Sequence, residues 1–399
     1  MSLARVEQDP TDPEFVQDPY AFYRHIRALG DFVYWSDYRL PVATTHEAVM
    51  TVLRSRSFGR EVPSENRVAP PSELSAFFEI EDHSMLEREP PVHTRLRGLV
   101  LRAFTRNRIL SMGPEISQVA DGLISDMPEG QFDLLDAFAR PLPIIIIARL
   151  LGVPEAMAPQ LLDWSNRMVA MYQARRTPHI EADAASAARE FSDYLKAFID
   201  KRRGSPADDL ISQLIAAEED GTKLSTEELI STCILLLNAG HEATVHSIGN
   251  AVVHLNDFRG RREALSPEAI EGTVEECLRY DPPLHLFTRH VYERVEICGV
   301  TFERGDEIGC LLGSATRDDA VWPDGEVFDP FRTVRSNAAF GAGIHFCVGA
   351  PLARLELQLA LPILYSRCPD LHLVEAPKVA NLYHFRGRER LIVARTPAS

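Results

Sequence analysis

The order of hydrophobic and polar residues predicts a chain that is mostly helical and contains a few short strands. Near the N-terminus it predicts a short helix over 20–29, two strands within 32–44 and a helix from His46. From Pro91 to about residue 255, apolar residues recur at helical spacing. Glycines mark the predicted helix ends in this stretch, at positions 113, 130, 152, 204 and 221.

The strand pattern returns late in the chain. Residues 290–312 alternate around two glycines, and LHLV from Leu371 and LIVAR from Leu391 have the same character. We therefore expect minor β regions near 30–45, 290–312 and 370–395. The stretch 55–90 is rich in Pro, Ser and Glu without clear periodicity, which predicts a loop on the substrate side. Since no segment has the composition of a linker, we predict a single domain over 1–399.

One helix, over about 226–256, is longer and less charged than the others. Ser225 and Glu228 form a capping box at its start, and Glu242 is the only formal charge between Ile230 and Leu255. Polar residues still interrupt the apolar run, namely Asn238, His241, Thr244, His246 and Asn250. A membrane span would not carry so many polar groups, so the pattern predicts a helix through the centre of a folded core.

Composition and charge narrow the classes of function. The 399 residues are 45% hydrophobic, which is enough for a large core, and the formal net charge is -16. An acidic chain is not expected to bind nucleic acid or an anionic membrane, because phosphate surfaces attract cations. The six cysteines include no CxxC pair, and the N-terminus has neither signal peptide nor anchor character. These features predict a cytoplasmic protein that does not associate with membranes.

The strongest local signal is FGAGIHFCVGAPLARLELQLAL, from Phe340 to Leu361. It places the sulfur of Cys347 before an amphipathic helix, where free N–H groups and the helix dipole favour the thiolate that a metal requires. Gly341, Gly343 and Gly349 would let the backbone approach a flat cofactor closely. An isolated cysteine is more often a buried structural residue, so the surrounding pattern decides the interpretation.

The spacing Phe340-x-x-Gly343-x-His345-x-Cys347-x-Gly349 resembles the haem-binding signature of the cytochrome P450 family. The resemblance implies a mainly α cytochrome P450 fold, in which a large helical region with a long central helix is accompanied by small β-sheets. It also implies haem b as the cofactor, with Cys347 as the axial iron ligand and metal-binding residue. Phe340 would pack near the sulfur, and His345 would contact a haem propionate.

Other residues match the family outside the cysteine stretch. PPVHTRLRGLV places His93 and Arg97 four residues apart, as in the propionate-binding helix of the family, and Arg289 resembles a further propionate ligand. Glu276 and Arg279, in VEECLRYDPP, resemble the ion pair of the family's buried network. Arg332 resembles its third member.

A basic stretch follows the predicted propionate helix. It contains five arginines and no acid, at positions 95, 97, 102, 106 and 108. This stretch is either a docking patch for an acidic electron donor or a solvated helix face.

The segment Leu237–Thr244 resembles the oxygen-binding part of the family's long helix, with Ala239 and Gly240 facing the cofactor. Glu242 takes the position of the family's catalytic acid, which can relay protons, although it could also be a hydrogen-bonded core carboxylate. The chain departs from the family at the next position, where Ala243 stands in place of the usual threonine. Thr244 follows, but one residue turns a helix by about 100°, so its hydroxyl need not replace the missing one. A substrate hydroxyl or ordered water could substitute, or oxidation could be inefficiently coupled.

The resemblance implies a haem-thiolate monooxygenase that inserts one oxygen atom from O2 into a hydrophobic small molecule. Electrons would come from NAD(P)H through a separate ferredoxin-type donor and its reductase, because the sequence contains no flavin or iron–sulfur segment. Two alternatives are a peroxide-driven enzyme, which Ala243 permits, and a haem sensor or carrier without turnover. The predicted pocket combines four segments, namely 55–90, 164–178, 236–243 and 284–287.

Overall fold

The computed structural model describes residues 3–173, 176–217 and 221–395, and helices form most of its bulk. The α-helices in chain order are α1 Pro13–Gln17, α2 Tyr20–Leu29, α3 His46–Arg54, α4 Ser75–Asp82, α5 Val92–Ala103, α6 Arg106–Ser111, α7 Gly113–Ser125, α8 Pro141–Leu151, α9 Ala158–Val169, α10 Pro178–Gly204, α11 Leu210–Ala216, α12 Thr226–Asp257, α13 Arg261–Ala264, α14 Ile270–Tyr280, α15 Leu312–Ala315 and α16 Ala350–Arg367. A π-helix over Leu135–Ala139 leads into α8. The predicted mainly α fold is confirmed.

The strands form three small sheets. They are β1 Ala4–Val6, β2 Phe32–Trp35, β3 Leu40–Ala43, β4 Phe58–Gly59, β5 Gly130–Asp133, β6 Leu286–Val291, β7 Val295–Ile297, β8 Val300–Phe302, β9 Glu307–Leu311, β10 His372–Leu373 and β11 Ile392–Arg395. Six strands pair in the order β1-β2-β3-β9-β6-β4, three in the order β10-β11-β5, and β7 pairs with β8. The β regions predicted near 30–45, 290–312 and 370–395 are therefore all present.

The predicted long helix is α12. Its first turn is closed by the predicted capping box, in which the Ser225 hydroxyl accepts from the Glu228 N–H at 3.1 Å and the Ser225 N–H donates to the Glu228 carboxylate at 2.9 Å. The helix packs against α8, α9, α10, α14 and α16. Its middle is buried against these neighbours, as its nearly uncharged sequence requires.

Several boundaries differ from the sequence-based expectations. The stretch 55–90 is not a continuous loop, since it contains β4, α4 and two short 3-10 turns. Gly152 ends α8 with a left-handed φ of 83° and Gly204 is the last residue of α10, as predicted. Gly113, by contrast, begins α7, and Gly130 begins β5. Gly221 follows residues 218–220, which lie outside the described part, and α11 has already ended at Ala216.

The hydrophobic core has a large helical part and two smaller parts beside the six-stranded sheet. The segment with Cys347 enters α16, which packs against α7, α12 and α14. Within the described ranges, no helix combines the length and the apolar character that a membrane crossing requires. The single-domain expectation over 1–399 stays a prediction.

Candidate cofactor and oxygen-binding site

Cys347 lies just before α16, where the sequence places it. Its N–H donates to the Phe340 carbonyl at 3.1 Å, which closes the glycine-rich turn that precedes the helix. Burial raises the pKa of the Cys347 thiol, while hydrogen bonds from the Gly349 and Ala350 N–H groups and the charge of Arg97 act in the opposite direction. The expected effect of the helix N-terminus is therefore present but smaller than that of burial. A bound metal cation would favour the thiolate further.

Two glycines of the cysteine segment have left-handed backbones. Gly343 has a φ of +71°, and a Cβ atom there would overlap the carbonyl oxygen of Leu53 at the end of α3. Gly341 has a φ of +68° but faces open space. The Phe340 ring lies under the guanidinium of Arg354, with 4.5 Å between the guanidinium carbon and the ring centroid. These contacts hold the segment between α3 and α16.

The structure brings the predicted propionate ligands of α5 next to the cysteine segment. The ring centroids of His93 and His345 are 4.4 Å apart, and Arg97 donates to the Phe346 carbonyl at 2.7 Å. His93 is buried, and its Nε2 atom has no hydrogen-bond partner among the described residues. Burial lowers the pKa of His93 to about 4, and the charges of His345 and Arg97 act in the same direction.

Arg289, on β6, is a buried cation that interacts electrostatically with Glu89, the residue that precedes the cis-linked prolines before α5. Its Nη1 atom donates to the Thr288 carbonyl at 2.8 Å, and no carboxylate of the described residues lies within ion-pair distance. Burial lowers the pKa of Arg289. A buried guanidinium without an anion is costly, which indicates that an anionic ligand completes this site.

The oxygen-binding segment of α12 has one accessible face. Between Leu229 and Val252, five positions are not fully buried, namely Leu235, Ala239, Gly240, Glu242 and Ala243. Their spacing of three and four residues places them on the same side of the helix. A buried helix that is accessible only at small and apolar positions, plus one acid, can accommodate a flat cofactor and a small ligand beside it.

Glu242 extends along α12. Its Oε1 atom is 3.1 Å from Nε2 of His246, and its Oε2 atom is 3.8 Å from Nδ1 of His241. Burial raises the pKa of Glu242, but the hydrogen bond with His246 and the charges of His246, His241 and Arg140 bring it below its ordinary value. Glu242 is therefore a carboxylate that lies within hydrogen-bonding distance of the His246 imidazole.

Neither residue after Glu242 offers a free hydroxyl. Ala243 has none, and the Thr244 hydroxyl donates to the Gly240 carbonyl one turn earlier at 2.9 Å. The expectation that Thr244 does not replace the family's threonine is consistent with this hydrogen bond.

The predicted buried ion pair is present. Arg279 donates to both carboxylate oxygens of Glu276, at 2.7 and 2.8 Å, and both side chains are buried. Nε of Arg332 lies 3.6 Å from Glu276 Oε1, while its terminal nitrogens bind the Pro323, Asp324 and Val327 carbonyls. The three residues therefore form one network that ties α14 to residues 323–332.

The arginines of the basic stretch are less available to an acidic partner than the sequence suggests. Arg95 pairs with Glu228 of α12, and Arg108 pairs with Asp208 at 3.1 Å. Arg97 is directed to the cysteine segment. Only part of the predicted docking patch can therefore attract an acidic partner.

Sequence reasoning missed several residues that the structure places at the site. Glu89 accepts from His345 Nε2 and from the Arg60 N–H, each at 2.8 Å. His246 pairs with Glu242, although it had been noted only as a polar interruption of α12. The spacing of four residues between 242 and 246 could have revealed this pair, whereas the contact of Glu89 joins distant parts of the chain and left no local signal.

The residues fit the haem that the sequence predicts. A cysteine stands at a helix start, and α12 presents a small apolar face at Ala239. Within the described ranges, His93 Nε2 has no hydrogen-bond partner and Arg289 has no carboxylate partner, and both match the anionic carboxylates of a haem. The individual roles of these residues stay predictions.

Comparison with known proteins gives a consistent family. A family model described as Cytochrome P450 matches residues 268–370. The chain is 37% identical over 377 residues to the cytochrome P450 monooxygenase PikC of Streptomyces venezuelae, covering 91% of this chain and 87% of the relative. It is 34% identical over 389 residues to the biotin biosynthesis cytochrome P450 of Bacillus subtilis (strain 168), covering 95% and 97%.

Solved structures agree with this result. P450BioI in complex with an acyl carrier protein ligated to hexadec-9Z-enoic acid has a TM-score of 0.91 at 33% identity, and covers 96% of this chain and 99% of that one. The bacillaene polyketide synthase cytochrome P450 PksS of Bacillus subtilis 168 has a TM-score of 0.88 at 34% identity, with coverage of 98% and 100%. Each aligns over nearly the full length of both chains.

Proposed function

The chain belongs to the cytochrome P450 family and its enzyme class is that of a cytochrome P450 monooxygenase, and on this premise we propose how its site works. The enzyme inserts one oxygen atom from O2 into a hydrophobic small molecule, with electrons that start at NAD(P)H and arrive through a separate ferredoxin-type donor. Family membership implies haem as the cofactor. The site assignment rests on Cys347 at the start of α16 and on two arginines, the half-buried Arg97 and the buried Arg289, that have no carboxylate partner among the described residues.

Specific residues would hold the haem. Cys347 would ligate the iron, and four polar side chains would bind the propionates, namely His93, Arg97, Arg289 and His345. Small or aromatic residues would contact the ring, namely Ala239, Gly240, Phe340, Gly341 and Gly349. Haem with a thiolate ligand supplies the activation of O2, because electron donation from sulfur favours cleavage of the O–O bond.

Glu242 would serve as the catalytic acid. Its carboxylate is on the accessible side of α12, and its pKa lies below its ordinary value despite burial. Insertion of one oxygen atom leaves the other to be released as water, which consumes two protons, so the site needs a group that takes up and releases protons. Ala243 contributes space and no hydroxyl, and Thr244 stabilises the helix turn through Gly240.

The pocket that the sequence predicts would be lined in part by apolar residues. Leu284 and Phe287 are half-buried near the sheet, and the Phe287 ring lies 5.3 Å from the Arg60 guanidinium carbon. Residues 174 and 175 of the predicted segment 164–178 lie outside the described residues. The similar structure with an acyl carrier protein and the similarity to a polyketide P450 favour long-chain acyl and polyketide-like compounds as first candidates. Substrates of this class are expected to be oxidised in the cytoplasm, without attachment to a membrane.

The absorption spectrum of the reduced, carbon-monoxide-bound protein tests the proposed ligand. The wild-type protein should show the red-shifted Soret band of a thiolate ligand, and Cys347→Ala should abolish it. Cys298→Ala is a matched control, because Cys298 is exposed in the β7–β8 turn and should leave the band unchanged. A histidine-type band that persists in Cys347→Ala would contradict the assignment.

A peroxide-driven enzyme is the second candidate, and it is favoured by the absence of a free hydroxyl at 243 and 244. Such an enzyme would form product with hydrogen peroxide and no reductase. Turnover that requires a ferredoxin and NAD(P)H would instead support the monooxygenase.

A further inference from the structure

Polar residues line one face of α12 beyond the oxygen-binding segment. Glu242, His246, Asn250 and His254 follow one another at intervals of four residues, so they occupy adjacent turns on the same side of the helix. The first two are in direct contact through His246 Nε2 and Glu242 Oε1 at 3.1 Å. The row therefore begins at the acid of the site and extends away from it.

The other side of His246 is occupied by the C-terminal sequence Arg386-Gly387-Arg388. A Cβ atom at Gly387 would overlap the His246 ring, so the glycine lets the backbone lie directly against the imidazole. Both flanking arginines bind the buried carboxylate of Asp281, at 2.6 and 2.7 Å. The two ion pairs fix the glycine between them and restrict the position of the ring.

The same arginines connect this clamp to the rest of the polar face. Nε of Arg388 donates to Oδ1 of Asn250 at 3.0 Å, and Nε2 of His254 lies 3.1 Å from Oδ2 of Asp281. Three of the four side chains in this row are thus tied to the C-terminal segment or to Asp281. His246 is the member whose imidazole faces Glu242, and about 10% of its side chain remains accessible.

We propose that His246 is a positioning and proton-supplying residue that returns protons to Glu242, and that the Arg386-Gly387-Arg388 clamp holds its imidazole in place. This inference rests on the proposed function. The N–H bond at Nε2 of an imidazolium breaks and an O–H bond forms at Glu242 Oε1, leaving a neutral imidazole and a neutral carboxyl group. The carboxyl then releases the proton into the site, and a hydronium ion from solvent reprotonates the imidazole and becomes water.

The need for such a residue follows from the local sequence. The reaction consumes two protons, Ala243 has no hydroxyl, and the Thr244 hydroxyl is engaged with Gly240. Glu242 carries one proton at a time, so it must be reloaded during each turnover. The imidazole is the only titratable side chain of the described residues that is hydrogen-bonded to Glu242.

His246→Gln tests the proposal. A glutamine amide can still donate a hydrogen bond to Glu242 but cannot release a proton. The holoenzymes would be supplied with NADPH, a ferredoxin and its reductase without substrate, and the fraction of electrons recovered as hydrogen peroxide would be measured. We expect this fraction to rise at least threefold in His246→Gln and in the smaller variant His246→Asn. His254→Gln is the matched control on the same helix face, because the glutamine amide can still donate to Asp281 and so keeps the clamp. Its peroxide fraction should stay within about 1.5-fold of wild type.

A second measurement does not depend on turnover. In the diamagnetic carbon-monoxide complex labelled with 15N-histidine, the Nε2 resonance of His246 should shift when Glu242 is replaced by Gln, because the hydrogen-bond acceptor changes charge. The resonance of His254 should not shift. A shift of neither signal would overturn the proposed pair.

The outcomes separate the two proposals. A normal thiolate-type spectrum with an unchanged peroxide fraction in both His246 variants would overturn the role of His246 alone. A wild-type protein without the thiolate-type band would overturn the proposed function and this inference together. A rise that His254→Gln reproduces would assign the effect to the packing of α12 and would also overturn the role of His246.

Discussion

At the scale of single residues, Ala243 is where the chain differs from the usual sequence of its family. The nearest hydroxyl, on Thr244, is held by the Gly240 carbonyl, and the Glu242 carboxylate is paired with His246 instead. Proton supply would therefore depend on a carboxylate and an imidazole one helical turn apart. Such a proton supply would make the identity of residue 243 less important for turnover.

Ala243→Thr is expected to change the yield of product per NADPH by less than about twofold, because the pair of Glu242 and His246 would already supply protons. Thr244→Val is the control, since its hydroxyl binds only the helix backbone in the described structure. The measurement is product formed against NADPH consumed with a substrate found by the spin-state shift of the haem. A gain of tenfold in Ala243→Thr would show that the missing hydroxyl limits the enzyme.

At the scale of structural elements, the cysteine segment depends on its contact with α3. Gly343→Ala should destabilise the protein at least twice as much as Gly341→Ala. Both residues have left-handed backbones, which costs an alanine about 1–2 kcal/mol. Only at Gly343 would the new Cβ atom also displace the Leu53 carbonyl. Denaturant unfolding of the two variants measures the difference, and equal losses would show that the α3 contact yields easily.

The ion-pair network between α14 and residues 323–332 is a second feature at this scale. Glu276→Ala would leave Arg279 buried without its carboxylate, which should cost about 3–5 kcal/mol of unfolding free energy and weaken haem retention. Glu155→Ala removes the partially exposed pair with Arg149 and should cost less than about 1 kcal/mol. Chemical denaturation together with haem loss measures both variants. Similar small losses in the two proteins would mean that water solvates Arg279.

Local sequence signals predicted the elements that have local causes. The capping box of α12, the glycine at the end of α8 and the strands after residue 290 are all present, because each depends on neighbouring residues. The helix α4 within 55–90 was missed, since it has only eight residues and its partners in α10 and α12 are distant in sequence. Gly113 began a helix instead of ending one, because the following proline favours a first turn.

The functional site shows the same difference between residues with local sequence signals and residues with long-range contacts. The cysteine motif and the i, i+4 residues of α5 were evident from spacing, whereas Glu89, Asp281 and the Arg386-Gly387-Arg388 clamp reach their partners across more than 100 residues. Long-range contacts of single polar residues leave no periodic pattern in one sequence. These contacts are visible only in the folded chain.

At the scale of the whole molecule, titration of buried groups determines how stability depends on pH. Burial raises the pKa of Glu356, inside α16, to about 8, whereas an unfolded chain releases this proton near 4.5. Buried histidines have the opposite effect, because burial lowers the pKa of His241 to about 4 and holds that of His285 well below 6.5. Their contribution rises with pH and is complete above the unfolded value of about 6.5.

Between pH 7 and 8, therefore, Glu356 should dominate the pH dependence. The native state keeps a proton on Glu356 that the unfolded state has lost, so the free energy of unfolding should fall as pH rises, and Glu356 alone contributes at most about 1.4 kcal/mol per pH unit. Denaturant unfolding at about pH 7, 7.5 and 8 would measure this slope in the wild-type protein and in Glu356→Gln. The variant should lose most of this slope and keep the smaller part that buried Glu81 contributes, because burial raises the pKa of Glu81 to about 7. Glu115→Gln, at an exposed glutamate of α7, should keep the wild-type slope. A wild-type slope that survives in Glu356→Gln would assign the titration to another buried group, and the stability of α16 would then not depend on a protonated carboxyl.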